Sequence, residues 1–308
     1  MNVGTCFPLQ GKIETEALSV VLLQMSPAKG ALTLEDVDKN IDKVIEMIKR
    51  SATAMPGFDL ILTPEIILDG SSPDHTKSLV TLDGPQVQRL KDICKELKIW
   101  GVFGAFADLK DGAYLRNVAI TINDKGEIVN VYSKTNPWIP RENSTAGDEI
   151  QVFEGPKGSR IATIICSDGD YIDTWREAAA KGANVIVRIS DYMTPYQEAY
   201  ELTNRAGAYF TRTYVLATNT CEMDPGFCLF GNSMVVSPEG TVITKAPEGI
   251  PYILKADIYP GLCDHIKTQS LMGNLEWQGN HRGAASPDTP GTGKDKSSLY
   301  TYLKGGQS

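Results

Sequence analysis

Residues 161–169 read Ile161-Ala162-Thr163-Ile164-Ile165-Cys166-Ser167-Asp168-Gly169, and the fold follows from how that stretch is taken. Five apolar or β-prone residues stop at a cysteine, and Ser-Asp-Gly behind it favours a tight turn. The reading is a buried strand whose last residue sits at the carboxyl edge of a sheet, where α/β proteins place their ligands. Downstream, a helix is expected over 174–181 with Gly182 as its C′ residue, then a strand over 185–189. A helix over 196–212 and a strand over 214–217 follow. A hairpin over 234–236 and 242–243 turns at Pro238-Glu239-Gly240. The upstream half has the same grammar. It has strands at 18–23, 60–62 and 100–106, helices from Leu34 (N-cap Thr33) and over 85–97, and a hairpin turning at Asp124-Lys125-Gly126. Two similar halves imply two sheets packed face to face with helices outside.

Composition narrows the function classes. The chain has 308 residues, 42% of them hydrophobic and 22% charged, which suits a folded protein with a sizeable core. A net charge of −8 without a basic block argues against nucleic acid or an anionic membrane as partner. No stretch reaches membrane-spanning length, and residues 1–10 lack the regions of a signal peptide. The six cysteines are scattered, without zinc or redox spacing, so reduced thiols in the cytoplasm are the expectation. Residues 1–260 read as one domain. From Gly261 the pattern dissolves, and 261–308 is expected to be an irregular tail, rich in Gly, Ser and Pro over 283–296, at a subunit interface.

Cys166 is the first candidate for chemistry. A cysteine in such a position is ordinarily a small buried hydrophobe. At a strand end, however, the turn also aims successive backbone N–H groups at one spot, which suits an oxyanion. A thiol nucleophile needs a base or a cation nearby. The histidines are His75, His265 and His281, none at a strand end. Two other strands end better: Leu60-Ile61-Leu62-Thr63-Pro64 delivers Glu65, and residues 128–133 deliver Lys134. Singly, each would be a solvated charge. Three strand ends offering Glu, Lys and Cys together form a set.

With those segments in order, Leu62-Thr63-Pro64-Glu65, Tyr132-Ser133-Lys134-Thr135 and Ile164-Ile165-Cys166-Ser167-Asp168, the chain resembles the nitrilase superfamily. Three more stretches make it similar to the aliphatic amidase and formamidase branch: 136–142 (from Asn136-Pro137-Trp138 to Glu142), 187–192 (Val187 to Tyr192) and Phe230-Gly231-Asn232-Ser233. The resemblance implies an α/β four-layer αββα sandwich of two mixed sheets. It implies hydrolysis of a small amide to an acid and ammonia through an acyl-enzyme on Cys166. Glu65 would be the base and then the acid, Lys134 and the Ser167 N–H would hold the oxyanion, and Glu142 would orient substrate and water. Trp138 and Tyr192 would wall the pocket. No metal and no organic cofactor are implied, and homo-oligomers, dimers or higher, are expected.

The chain departs from that branch's pattern at Ser167, where histidine is common, at Ile66, where an aromatic is usual, and at Asp191, where a small residue is expected. A nitrilase proper, a hydrolase of N-carbamoyl compounds and a non-catalytic amide-binding relative therefore stay open beside the amidase. Arg188 is expected to pair with Asp191 or a tail carboxylate and receives no catalytic role at this stage.

Overall fold

The computed structural model describes residues 15–72, 74–113, 115–139, 142–223 and 228–269. The N-terminal 1–10 and the tail over 283–296 lie outside the described residues. In chain order the elements are β1 (Leu18–Gln24), α1 (Leu34–Ala54), β2 (Leu60–Leu62), α2 (Pro85–Leu97), β3 (Trp100–Ala107), β4 (Arg116–Ile122) and β5 (Ile128–Ser133). The second half runs β6 (Val152–Glu154), β7 (Arg160–Ile165), α3 (Ile172–Ala180), β8 (Val185–Ser190), α4 (Gln197–Thr211) and β9 (Tyr214–Asn219). It closes with β10 (Cys221–Met223), β11 (Cys228–Phe230), β12 (Met234–Val236), β13 (Val242–Lys245), β14 (Tyr252–Ile258) and α5 (Pro260–Gln269).

Among the described residues there are two six-stranded sheets, ordered β14-β1-β2-β3-β4-β5 and β13-β12-β9-β8-β7-β6, and a small β10-β11 pair. Both large sheets follow one plan. Three parallel strands (β1-β2-β3 or β7-β8-β9) form the centre, an antiparallel hairpin extends one side, and a single antiparallel strand closes the other. This is the sandwich of two mixed sheets that the sequence led us to expect.

Alternation in β1 shows how the layers form. Leu18, Val20 and Leu22 face the second sheet and share a core with Ile161, Ile165, Val187 and Leu216. Val21 and Leu23 point the other way, into a core with Val37, Ile41, Val44 and Ile48 of α1. That helix begins where expected: the Thr33 Oγ1 accepts the Asp36 N–H at 3.4 Å. Carboxyl ends of the parallel strands in both sheets open on the same side, and the loops leaving them carry the candidate side chains.

Five elements were not anticipated, the three-residue β10 and β11 among them. β6 has only three residues, and β14 is an edge strand whose outward Lys255 and Asp257 mask its alternation. The tail expected to be irregular from Gly261 instead continues as α5. Pro260 starts it, and Leu262, Cys263 and Ile266, spaced along one face, are buried against the second sheet. No helix among the described residues is long and apolar enough to cross a membrane.

Candidate active site

Each of the three strand ends is held by its own device. After β2, the Thr63 N–H donates to the Val102 carbonyl at 3.0 Å, and Pro64 ends the pairing. Glu65 then lies against β3, so closely that a Cβ on Gly104 would stand 2.5 Å from the Pro64 carbonyl oxygen. Only glycine fits there. The turn behind it is tied by the Gly70 N–H to the Ile66 carbonyl at 2.6 Å, and by Asp69, whose carboxylate accepts the Phe106 N–H at 2.7 Å. Lys134 continues β5, its N–H bonded to the Asn117 carbonyl at 2.9 Å. Cys166 leaves β7 with φ 48°, a left-handed conformation that a β-carbon makes costly, and opens a single 3-10 turn to Asp170.

Asp168 joins two of these ends. Fully buried, it accepts the Ile165 N–H (2.9 Å), the Tyr132 hydroxyl (2.7 Å), the Thr135 hydroxyl (3.0 Å) and the Asn136 N–H (2.7 Å). The cysteine turn of the second sheet is thereby stapled to the lysine loop of the first.

Lys134 sits between two carboxylates, its Nζ 2.8 Å from Glu65 Oε1 and 2.6 Å from Glu142 Oε2. Asn117, 1% exposed, bridges the same pair from the other side, Nδ2 donating to Glu65 Oε1 at 2.7 Å and to Glu142 Oε1 at 2.9 Å. Glu65 Oε2 accepts the Asp191 N–H at 2.9 Å, so the residue following β8 of the second sheet also reaches this carboxylate. Ser144 and the Trp138 N–H complete the shell of Glu142, at 2.6 and 3.1 Å. Asn117 was invisible as a site residue in the sequence. Its one signal was an amide at the head of a strand that runs apolar and β-prone from Val118 onward.

The charges answer one another. Burial works against the Lys134 ammonium, but Glu65, the Cys166 sulfur and Glu142 outweigh it and hold the amine well above the ordinary lysine range. Burial likewise opposes the Glu142 carboxylate, and Lys134 wins, drawing it below its usual value. Burial and the Glu65 carboxylate both push the Cys166 thiol well up, against the pull of Lys134. Burial and the neighbouring carboxylate thus both favour the thiol over the thiolate at Cys166.

These groups open onto a cavity of about 450 Å³ lined by Glu65, Lys134, Glu142, Cys166, Ser167, Trp138 and Tyr192, every side chain nominated from the sequence. Trp138 is 41% exposed at its mouth, while Tyr192 is buried in its wall and hydrogen-bonded through its hydroxyl to Asp170. Phe106, Asp191 and His75 add to the wall. The His75 and Phe106 rings lie 4.2 Å apart, and burial draws the His75 pKa below the ordinary imidazole value. Behind the cysteine turn, Arg188 is fully buried and bonded to the Cys166 carbonyl. The sequence reading had considered Asp191 or a tail carboxylate as its partner. The structure pairs it with Asp170 at 3.4 Å instead.

Known proteins share this plan. Formamidase from Bacillus cereus (strain B4264) is 36% identical over 273 residues, 87% of this chain and 81% of that protein. A formamidase from Bacillus anthracis matches to the same extent. Among solved structures, Saccharomyces cerevisiae Nit3, a member of branch 10 of the nitrilase superfamily, superposes with a TM-score of 0.75 at 22% identity, covering 86% of this chain and 98% of that one. An amidase from Nesterenkonia sp. superposes at 0.70 with 22% identity, covering 82% and 94%. The family model for carbon–nitrogen hydrolases matches residues 19–268, the whole span from the first strand to the last described helix, and the chain belongs to that family.

Proposed function

We propose that this carbon–nitrogen hydrolase cleaves a small linear amide to a carboxylic acid and ammonia, with Cys166 as nucleophile. The observation that carries the reading is the convergence of Glu65, Lys134 and Cys166 on one cavity, with Lys134 bridging Glu65 and Glu142. Glu65 takes the thiol proton as the sulfur attacks the amide carbon. Of the three Lys134 N–H donors, two are engaged by Glu65 and Glu142, which leaves the third for the developing oxyanion beside the Ser167 N–H. As the C–N bond breaks, Glu65 returns its proton to the nitrogen and ammonia departs. Water then enters, Glu65 removes its proton with Glu142 holding it in place, and collapse of the second tetrahedral adduct frees the acid. The thiolate takes the proton back from Glu65, which closes the cycle.

The named relatives are formamidases, so formamide heads the list of substrates to try. The cavity of about 450 Å³ falls in the range of pockets that hold far larger ligands, ~300–1,000 Å³. We therefore favour an amide with a longer acyl chain. Ammonia release from a matched series of amides, nitriles and N-carbamoyl compounds tests this. Turnover of amides lost in Cys166→Ser is the expected result, and turnover of nitriles alone would overturn it.

We also place the protein in the cytoplasm, on the strength of the five unpaired thiols among the described residues. We expect it to be a homo-oligomer, dimer or higher. Tyr171 and Ile172 at the start of α3 and Leu202 and Phe210 on α4 are all more than half exposed, apolar surface that a second copy would cover. Light scattering on the purified chain should return a mass of at least two copies.

A further inference from the structure

Arg188 is a full charge in the middle of the apolar strand β8, and its side chain has no exposure at all. Its guanidinium grips a single atom from two directions: the Cys166 carbonyl oxygen accepts from Nε at 3.1 Å and from Nη2 at 2.7 Å. Nη1 is held by the Thr203 hydroxyl at 2.8 Å and the Asn204 side-chain oxygen at 3.1 Å. The rings of Tyr192 and Tyr200 flank it, each 5.1 Å away. The chain also keeps Gly169 bare at the point where a β-carbon would lie 2.3 Å from the Arg188 Cζ. Its one carboxylate at ion-pair distance, among the described residues, is Asp170 at 3.4 Å, itself 42% exposed and shared with the Tyr192 hydroxyl. A buried cation so incompletely paired is a poor way to gain stability, since well-packed apolar side chains generally do as well or better.

The atom it grips suggests another use. In a trans peptide the carbonyl and the following N–H point in opposite directions. The Cys166 carbonyl is turned inward to Arg188, whereas Cys166 and Ser167 both line the cavity. We propose that Arg188 is the positioning residue of the nucleophile turn: holding the Cys166 carbonyl from behind, it fixes the Ser167 N–H at the far end of the same peptide where the oxyanion forms. The same grip holds Cys166 in its left-handed conformation, φ 48°, which an ungripped residue would leave. Asp170 and Tyr192 connect the cavity wall to this clamp, so the shape of the wall and the aim of the N–H are mechanically linked.

The inference rests on amide hydrolysis at Cys166, and its test uses the full chain. For wild type and Arg188→Lys, kcat and KM are measured on the best amide, together with inhibition by the matching aldehyde. The sulfur adds to the aldehyde carbon and the thiol proton passes through Glu65 towards the new oxyanion, giving a tetrahedral adduct that reads the oxyanion site directly. Lysine keeps the charge and loses the fork. We expect kcat to fall roughly 10²-fold and aldehyde affinity to fall by a similar factor, with KM changing by less than about threefold. A role in packing alone would lower the count of active sites and leave the affinity of the folded fraction unchanged, and that result overturns the proposal. Should Arg188→Lys fail to fold, Thr203→Val decides. It removes one Nη1 partner, and a folded variant with wild-type aldehyde affinity overturns the proposal equally. If wild type neither cleaves amides nor binds the aldehyde, the amidase reading falls and takes this one with it. An active wild type beside an unaffected Arg188→Lys sinks the positioning role alone.

Discussion

Glu65 faces three donors at once: the Lys134 ammonium, the Asn117 amide and the Asp191 N–H. In the proposed mechanism this carboxylate takes the proton of the sulfur, and a glutamine in its place keeps the shape while removing that capacity. Glu65→Gln should lower kcat by ~10²–10⁴, the usual worth of a positioned base, with binding little changed. Steady-state kinetics on the amide series check it. Asn117 donates to both carboxylates, which in the proposed mechanism keeps them in place. Its loss should raise the Glu142 pKa, since the amide hydrogen bond is among the contacts that depress it. Because a depressed carboxylate loses its benefit as the pH falls, the acid limb of kcat/KM in Asn117→Ala should move to higher pH. An unmoved limb would remove Asn117 from the proton machinery. At Cys166, burial and Glu65 favour the neutral form. The ultraviolet thiolate absorbance lost in Cys166→Ser should therefore be negligible at neutral pH, emerging only above the ordinary thiol range.

Among the elements, α1 carries the clearest pH signature. Hydrogen bonds from Lys29 and from the Leu32 N–H draw Asp36, in the first turn, from 3.8 down to about 2. A carboxylate lowered in this way stabilises the fold above its ordinary value, and the benefit is lost as pH falls through the lowered one. Melting temperature should thus drop between about pH 4 and pH 2 in wild type, and less steeply in Asp36→Asn, as a thermal scan at stepped pH would record. The helices and parallel strands were legible because long apolar periodicities admit few readings. β6 and α5 were not: three residues, or one and a half buried turns after a proline, carry too little pattern. Arg188 in β8 was legible in principle, as a charge inside a run of Val and Ile has to be accounted for. What it bonds to could not be read, because its partner is a backbone carbonyl that every residue has. Glu65, Lys134 and Cys166 were readable because strand ends are marked by turn residues. Asn117 and Asp168, which hold them in place, lie within strands and turns and acquire meaning only in three dimensions.

At the scale of the molecule, one of the two buried cores fills the face between the sheets. Leu22, wholly buried there, should cost ~2–5 kcal/mol as Leu22→Ala, measurable by denaturant unfolding. The thiols report on the same interior. Burial pushes Cys94, Cys221 and Cys263 up to about 12, whereas Cys228 is exposed. Alkylation of native protein at neutral pH should mark Cys228 first and reach those three only on unfolding, countable by mass spectrometry.

The repeated plan of the two sheets has one more result. Glu65 and Lys134 hang from one slab and Cys166 from the other, so neither slab alone holds the proposed centre. A chain severed between them should yield two inert fragments, and catalysis should return only when the pieces reunite, which makes ammonia release a gauge of their assembly.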